Sequence, residues 1–273
     1  MTTKTPSRID QAFARAKAEN RKALVIYLTA SDPDFETSRR VIGAAIKGGA
    51  DLIELGIPWS DPSADGLAIQ SAMERARKSG GGLSETLRLC ALLRADSPAI
   101  PIVLFGYANP IAIRGPKVFA SDAAKAGADA ALCVDWLADT DPTLYQALSA
   151  EGLDLIPLLA PTSPMSRIAL ANTFAGGFFY YVSMTGITGG QLADMQAVAN
   201  RVGEIRSLTQ GRLPIVVGFG ISSPSDVREV AGFADGIVVG SAAVRIVESA
   251  VAKGEDPAIA MEQYIRSLRA SLG

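Results

Sequence analysis

Eight short apolar runs, separated by stretches of helical periodicity, constrain this sequence more than any other feature. They are Leu24–Ala30, Leu52–Gly56, Ile102–Gly106, Ala130–Asp135, Leu155–Ala160, Phe178–Ser183, Ile215–Gly218 and Gly236–Gly240. Each has the length of a strand covered on both faces. The segments between them space their apolar residues helically, as Val41, Ile42, Ala45 and Ile46 do. Strands alternating with helices imply βα units and a parallel sheet. Eight such units in 273 residues fit an α/β fold of the closed (β/α)8 type, a TIM barrel, better than an open sheet. Neither of the first two strands is followed by the Gly-x-Gly-x-x-Gly turn of a doubly wound dinucleotide fold.

The chain is read as a single domain over residues 1–273, with an extra N-terminal helix over about 7–22 and the barrel over about 24–273. Ser7 and Asp10 form a capping box for that helix, and Ile9 and Phe13 share the face that covers the bottom of the barrel. A weak repeat precedes three strands: Gly48-Gly49-Ala50-Asp51, Ala126-Gly127-Ala128-Asp129 and Phe233-Ala234-Asp235-Gly236. Such residues suit any helix-to-strand loop.

There is no histidine. That removes Ser-His-Asp and Cys-His nucleophiles, histidine bases and every His-dependent metal site, and no metal is assigned. A net charge of -2 with no basic block argues against a nucleic-acid partner. No apolar run approaches the roughly 18 residues of a membrane span, and the first 23 residues are polar rather than a signal peptide. Cys90 and Cys133 lie in apolar stretches and read as buried free thiols in a reducing, cytoplasmic setting.

Chemistry is then left to carboxylates. Glu54 stands in Leu52-Ile53-Glu54-Leu55-Gly56, at what reads as the C-terminal end of the second strand, the face where barrel enzymes work. It is either a desolvated general acid/base or a core carboxylate paired with an Arg or Lys. The following loop carries Asp61, in the manner of an ordinary turn residue, and a second candidate acid, Asp65. Glycines after the seventh strand (Gly218, Gly220) and at the end of the eighth (Gly240, followed by Ser241) read as a phosphate grip built from backbone N–H groups. Ser183 to Gly190, after the sixth strand, is a lid or a flexible connection. None of the eight lysines falls at a C-terminal strand end, which argues against an imine-forming aldolase.

The run Glu54-Leu-Gly-Ile-Pro-Trp-Ser-Asp-Pro-Ser-Ala-Asp-Gly, with Ile69-Gln70 behind it, resembles the signature of the tryptophan synthase alpha chain family. Leu28-Thr29-Ala30-Ser31-Asp32-Pro33, Tyr107-Ala108-Asn109-Pro110-Ile111, Leu158-Leu159-Ala160-Pro161-Thr162 and Tyr181 to Gly189 extend the likeness to most of the chain. The resemblance implies a barrel lyase that cleaves indole-3-glycerol phosphate to indole and glyceraldehyde 3-phosphate. It implies no cofactor on this chain and a pyridoxal-phosphate beta chain as partner in an alpha2-beta2 heterotetramer. By the same resemblance Glu54 is the general acid/base, Asp65 accepts from the indole N–H, and Tyr180 lies beside Glu54. Thr188 closes toward Asp65; Gly189, Phe219, Gly220, Gly240 and Ser241 hold the phosphate; Tyr27, Phe105 and Leu132 wall the indole pocket.

The sequence departs from the family pattern at Ser63 (usually Leu), Leu67 (usually Pro), Ser31 (often Gly) and Asp135-Trp136-Leu137-Ala138 (usually Asp-Leu-Pro-Pro). The first two fall on the loop that meets the beta chain in the family, so they bear on loop closure and coupling. Two other roles fit the same residues: a non-catalytic subunit that activates a beta chain, and a stand-alone lyase that releases free indole.

Overall fold

The structure is a computed structural model describing residues 6–138, 140–182, 195–218 and 220–272. Its strands are β1 (Ala23–Thr29), β2 (Leu52–Gly56), β3 (Ile102–Gly106), β4 (Ala130–Cys133), β5 (Asp154–Leu155), β6 (Leu158–Leu159), β7 (Phe179–Val182), β8 (Ile215–Gly218) and β9 (Gly236–Val239). All pairings are parallel, in the order β5-β4-β3-β2-β1-β9-β8-β7-β6. No described helix is long and apolar enough to cross a membrane.

The run Leu155–Ala160, read as one strand, is recorded as two short ones around Pro157. Proline has no N–H to give a ladder, so regular pairing stops there. The barrel nevertheless closes through this segment. The Ile156 N–H donates to Ala131 O at 2.9 Å on one side, and the Tyr180 N–H donates to Pro157 O at 3.1 Å on the other. β4 also stops at Cys133, because Val134 and Asp135 enter a turn.

Strand alternation separates two apolar layers. Leu24, Ile26, Ile53, Leu55, Leu104, Phe179, Val217 and Ile237 point outward and pack under the helices. Val25, Tyr27, Leu52, Val103, Phe105, Leu132, Tyr180, Val216 and Val238 fill the barrel interior. The N-terminal helix runs from Arg8 to Ala18, shorter than the 7–22 expected, and the Ser7/Asp10 capping box is present. Ile9 is fully buried among the interior residues, and the Phe13 ring lies 5.9 Å from that of Phe178, so the helix plugs the bottom.

The weak repeat has a specific cause. Asp51, Asp129 and Asp235 each accept a backbone N–H from the first or second residue of the neighbouring strand, from Leu24, Ile102 and Ile215 at 2.8–2.9 Å. Each also pairs with an arginine, Arg21, Arg94 and Arg206 respectively. The aspartates therefore satisfy strand-start donors that the ladder cannot reach.

Ser31, where the family often has Gly, adopts φ +65°, and its hydroxyl is buried without a partner among the described residues. The left-handed region disfavours residues with a Cβ, and an unsatisfied buried hydroxyl adds to that cost. Ser31→Gly is therefore expected to raise stability by about 1 kcal/mol, the relief exceeding the entropy that glycine adds to the unfolded chain. Chemical denaturation of the two proteins checks this, and a less stable variant refutes it.

Candidate active site

Glu54 is the third of five residues in β2, so it sits mid-strand rather than at the strand's C-terminal end. Alternation turns it inward with Leu52 and Gly56, between Tyr27 and Val103 in register. Gly56 has no side chain, which leaves Glu54 as the uppermost inward group on β2. Its exposure is 0%, and neither carboxyl oxygen has a hydrogen-bond partner among the described residues. No arginine or lysine among the described residues pairs with it, unlike a salt-bridged core carboxylate. Burial alone pushes its pKa up to about 8, because the ionised form has nothing to replace the water it loses. At neutral pH Glu54 holds its proton.

Two tyrosines owe their positions to glycines. A Cβ on Gly56 would lie 2.3 Å from the Tyr27 hydroxyl, and one on Gly218 would lie 2.3 Å from the Tyr180 hydroxyl. Only glycine at these strand ends lets the two phenols lie across the inside of the barrel. Burial raises the pKa values of both tyrosines well above the usual range, and Glu54, when ionised, raises them further. Tyr27 also packs edge-on against Phe105, with ring centroids 5.2 Å apart.

The second acid comes from the loop after β2. Asp65 is buried, whereas Asp61 is exposed, as suits a turn residue. The Tyr107 hydroxyl donates to Asp65 Oδ2 at 2.6 Å and accepts from the Ala64 N–H at 3.2 Å. Gln70 Nε2 donates to the Asp65 carbonyl at 2.7 Å. These bonds hold the loop although Leu67 replaces the usual proline; Leu67 itself opens the helix Leu67–Lys78 and is exposed. Burial pushes the Asp65 pKa up to about 6, against the lowering effect of the Tyr107 bond. The two carboxyls thus differ in state near pH 7: Asp65 is mainly ionised and Glu54 mainly neutral.

A pocket enclosing about 500 Å³ of space between atoms, open solvent included, lies on this face. Tyr27, Ile69, Phe105 and Tyr180 line it together with Asp65, Gly220, Gly240, Ser241 and Arg245. Glu54 does not line it, although Tyr27, its partner in register on β1, does. Leu132, expected on the wall, is absent from the lining and packs in the barrel interior beside Phe105 instead. Gly220 adopts φ +77°, a conformation that favours glycine. Ser241 is the first residue of the helix Ser241–Lys253, whose N-terminal N–H groups suit an anion. Thr188, Gly189, Phe219 and the Ser183–Gly190 segment lie outside the described residues.

A family model of the tryptophan synthase alpha chain matches residues 13–272. The chain belongs to the tryptophan synthase alpha chain family. It is 41% identical over 266 residues to the tryptophan synthase alpha chain of Zymomonas mobilis, covering 97% of this chain and 96% of the relative. The corresponding chain of Citrifermentans bemidjiense is 50% identical over 242 residues, covering 89% and 90%. The crystal structure of the alpha subunit from Legionella pneumophila superposes with a TM-score of 0.90 at 32% identity, covering 98% of each chain. These likenesses agree with the TIM-barrel reading of the sequence.

Two residues at the site had no role in the sequence reading. Tyr107 was visible only as part of the Tyr107-Ala108-Asn109-Pro110-Ile111 block, and no spacing connects it to an acid 42 positions away. Arg245 is an ordinary-looking helix residue one turn after Ser241. Tyr107→Phe removes the donor on Asp65 Oδ2, so the Asp65 pKa should rise above about 6. The acidic limb of the kcat/KM profile is then expected to move to higher pH, with a larger loss at pH 6 than at pH 8. An unmoved limb in the variant's pH–rate profile would contradict this role.

Proposed function

We propose that this chain catalyses the alpha reaction of tryptophan biosynthesis, the cleavage of indole-3-glycerol phosphate to indole and glyceraldehyde 3-phosphate. The observation that carries the mechanism is a fully buried Glu54 carboxyl, with no partner among the described residues, beside a cavity lined by Asp65. Neutral Glu54 gives its proton to indole C3. The ring becomes positively charged, and Asp65 stabilises that charge by accepting a hydrogen bond from the indole N–H. The Glu54 carboxylate then takes the proton from the adjacent glycerol hydroxyl. As the carbonyl of the aldehyde forms, the carbon–carbon bond breaks and its electron pair returns to the ring. Glu54 ends protonated, so one group serves as acid and then base with no net proton consumed.

Because Glu54 does not line the cavity, proton transfer to the substrate requires its side chain or the Tyr27 and Tyr180 rings to shift. Tyr27, Phe105 and Tyr180 then form the apolar wall for the indole. Gly220, Gly240 and Ser241 hold the phosphate with the N-terminus of the helix Ser241–Lys253, and Thr188, Gly189 and Phe219 complete the site. Orientation by the phosphate grip supplies rate beyond the roughly 10²–10⁴-fold of acid/base catalysis.

The chain needs no cofactor for this chemistry. A pyridoxal-phosphate beta chain is the partner that consumes the indole, in an alpha2-beta2 assembly. The free, buried Cys90 and Cys133 suit a reducing cytoplasmic setting.

An indole-release assay, with and without a beta chain, tests this function. Indole formed by the chain alone and accelerated by the beta chain supports both parts. No indole in either condition overturns the lyase reading.

A further inference from the structure

Among the described residues, Arg245 is the only cationic side chain lining the cavity to which Asp65, Gly220, Gly240 and Ser241 also contribute. It lies on the first turns of the helix Ser241–Lys253, four positions after Ser241. Helical side chains lean toward the helix N-terminus, so an arginine at this position reaches back over the turn that begins at Ser241. Among the described residues Arg245 forms no ion pair. On the same helix, the nearby Glu248 is engaged by Arg75 at 2.8 Å.

Arg245 and Gly220, from the other glycine loop, line the same cavity. The positive charge of Arg245 acts on Tyr264, whose hydroxyl donates to Ser222 O at 2.8 Å. Ser222 belongs to the turn after β8 that carries Gly220. The acid just after that turn, Asp226, accepts from the Ser222 N–H and hydroxyl and from the Ser223 N–H. Arg245 therefore lines the same cavity as both glycine loops, with no ion pair among the described residues.

We infer that Arg245 is the charge partner of the substrate's phosphate, a binding residue that adds a full positive charge to the backbone N–H grip. This inference rests on the phosphate being held by Gly220, Gly240 and Ser241. A phosphomonoester brings nearly two negative charges into a cavity that already contains the Asp65 carboxylate. Helix-end dipoles offer only partial charges in return. A guanidinium supplies a whole charge and a fork of donors matched to phosphate oxygens. Since Arg245 is exposed, solvent and salt weaken the pairing, so its contribution is moderate.

The test compares Arg245→Gln and Arg245→Lys with the parent chain. Three readouts are used: KM and kcat for indole-3-glycerol phosphate, the inhibition constant of inorganic phosphate, and that of free indole. The glutamine variant is expected to raise KM and the phosphate constant roughly tenfold. Its kcat and indole constant should stay within about twofold, and added salt should narrow the difference from the parent. Lysine should recover most of the loss. Unchanged phosphate inhibition in Arg245→Gln overturns the inference while leaving the phosphate grip intact. Equal weakening of phosphate and indole also overturns it, since that marks a general disturbance of the cavity. If phosphate fails to compete with substrate in the parent chain, the grip itself is misplaced and both readings fall.

Discussion

Glu54→Gln is expected to release indole at least a hundredfold more slowly than the parent chain, in a protein that folds normally. Glutamine keeps the shape of the side chain, so the barrel interior need not repack. It cannot give up or take back the proton that the cleavage passes from acid to ring and from hydroxyl to base. Acid/base groups in such roles contribute roughly 10²–10⁴-fold. The same substitution carries an independent signature in stability. Glu54 binds its proton with a pKa of about 8 in the folded chain, against about 4.3 when unfolded. The folded state therefore holds one proton more than the unfolded state between those values, and stability falls as pH rises through that window. The parent should lose about 1.4 kcal/mol per pH unit there relative to the glutamine variant. Denaturation of both proteins at pH 5 and pH 8 reads this difference, because all other groups cancel. Near-full turnover by Glu54→Gln would remove Glu54 from the mechanism.

Asp65→Asn should lower kcat by roughly 10²-fold or more, the range seen when a group that stabilises developing charge is neutralised. Tyr107 can still donate to the amide oxygen, so the loop stays in place. What is lost is the negative charge that offsets the cation formed when C3 is protonated. The exposed Asp61 on the same loop is the internal comparison, and Asp61→Asn should leave kcat unchanged. Steady-state kinetics separate the possibilities. If Asp65→Asn raises KM and spares kcat, Asp65 binds substrate without stabilising charge.

Glu54 was legible in the sequence because an acid inside Leu-Ile-Glu-Leu-Gly contradicts its surroundings, and such contradictions mark functional or strained positions. β2, β3 and β8 were also legible to the residue, since glycine or proline bounds each apolar run. Three things were not legible, each because it depends on long-range geometry. The bond from Tyr107 to Asp65 joins the loops after β3 and β2, adjacent in the barrel but far apart in sequence. Leu132 and Phe105 both face inward in register, yet only Phe105 reaches the cavity, a difference of depth that alternation alone does not encode. The repeat ending in Asp51, Asp129 and Asp235 looked like ordinary loop composition until its partners were known. Pro157 is the opposite case: its effect on the fifth strand is local, and the residue itself announces the break.

The protonation state of Glu54 can be observed directly, by ¹³C NMR titration of protein labelled at the glutamate side-chain carboxyls, with Glu54→Gln to assign the resonance. A signal that changes near pH 8 in the parent and vanishes in the variant is the predicted outcome. Complete titration of every glutamate below about pH 5 would mean that Glu54 is charged at neutral pH and has no proton to offer the ring.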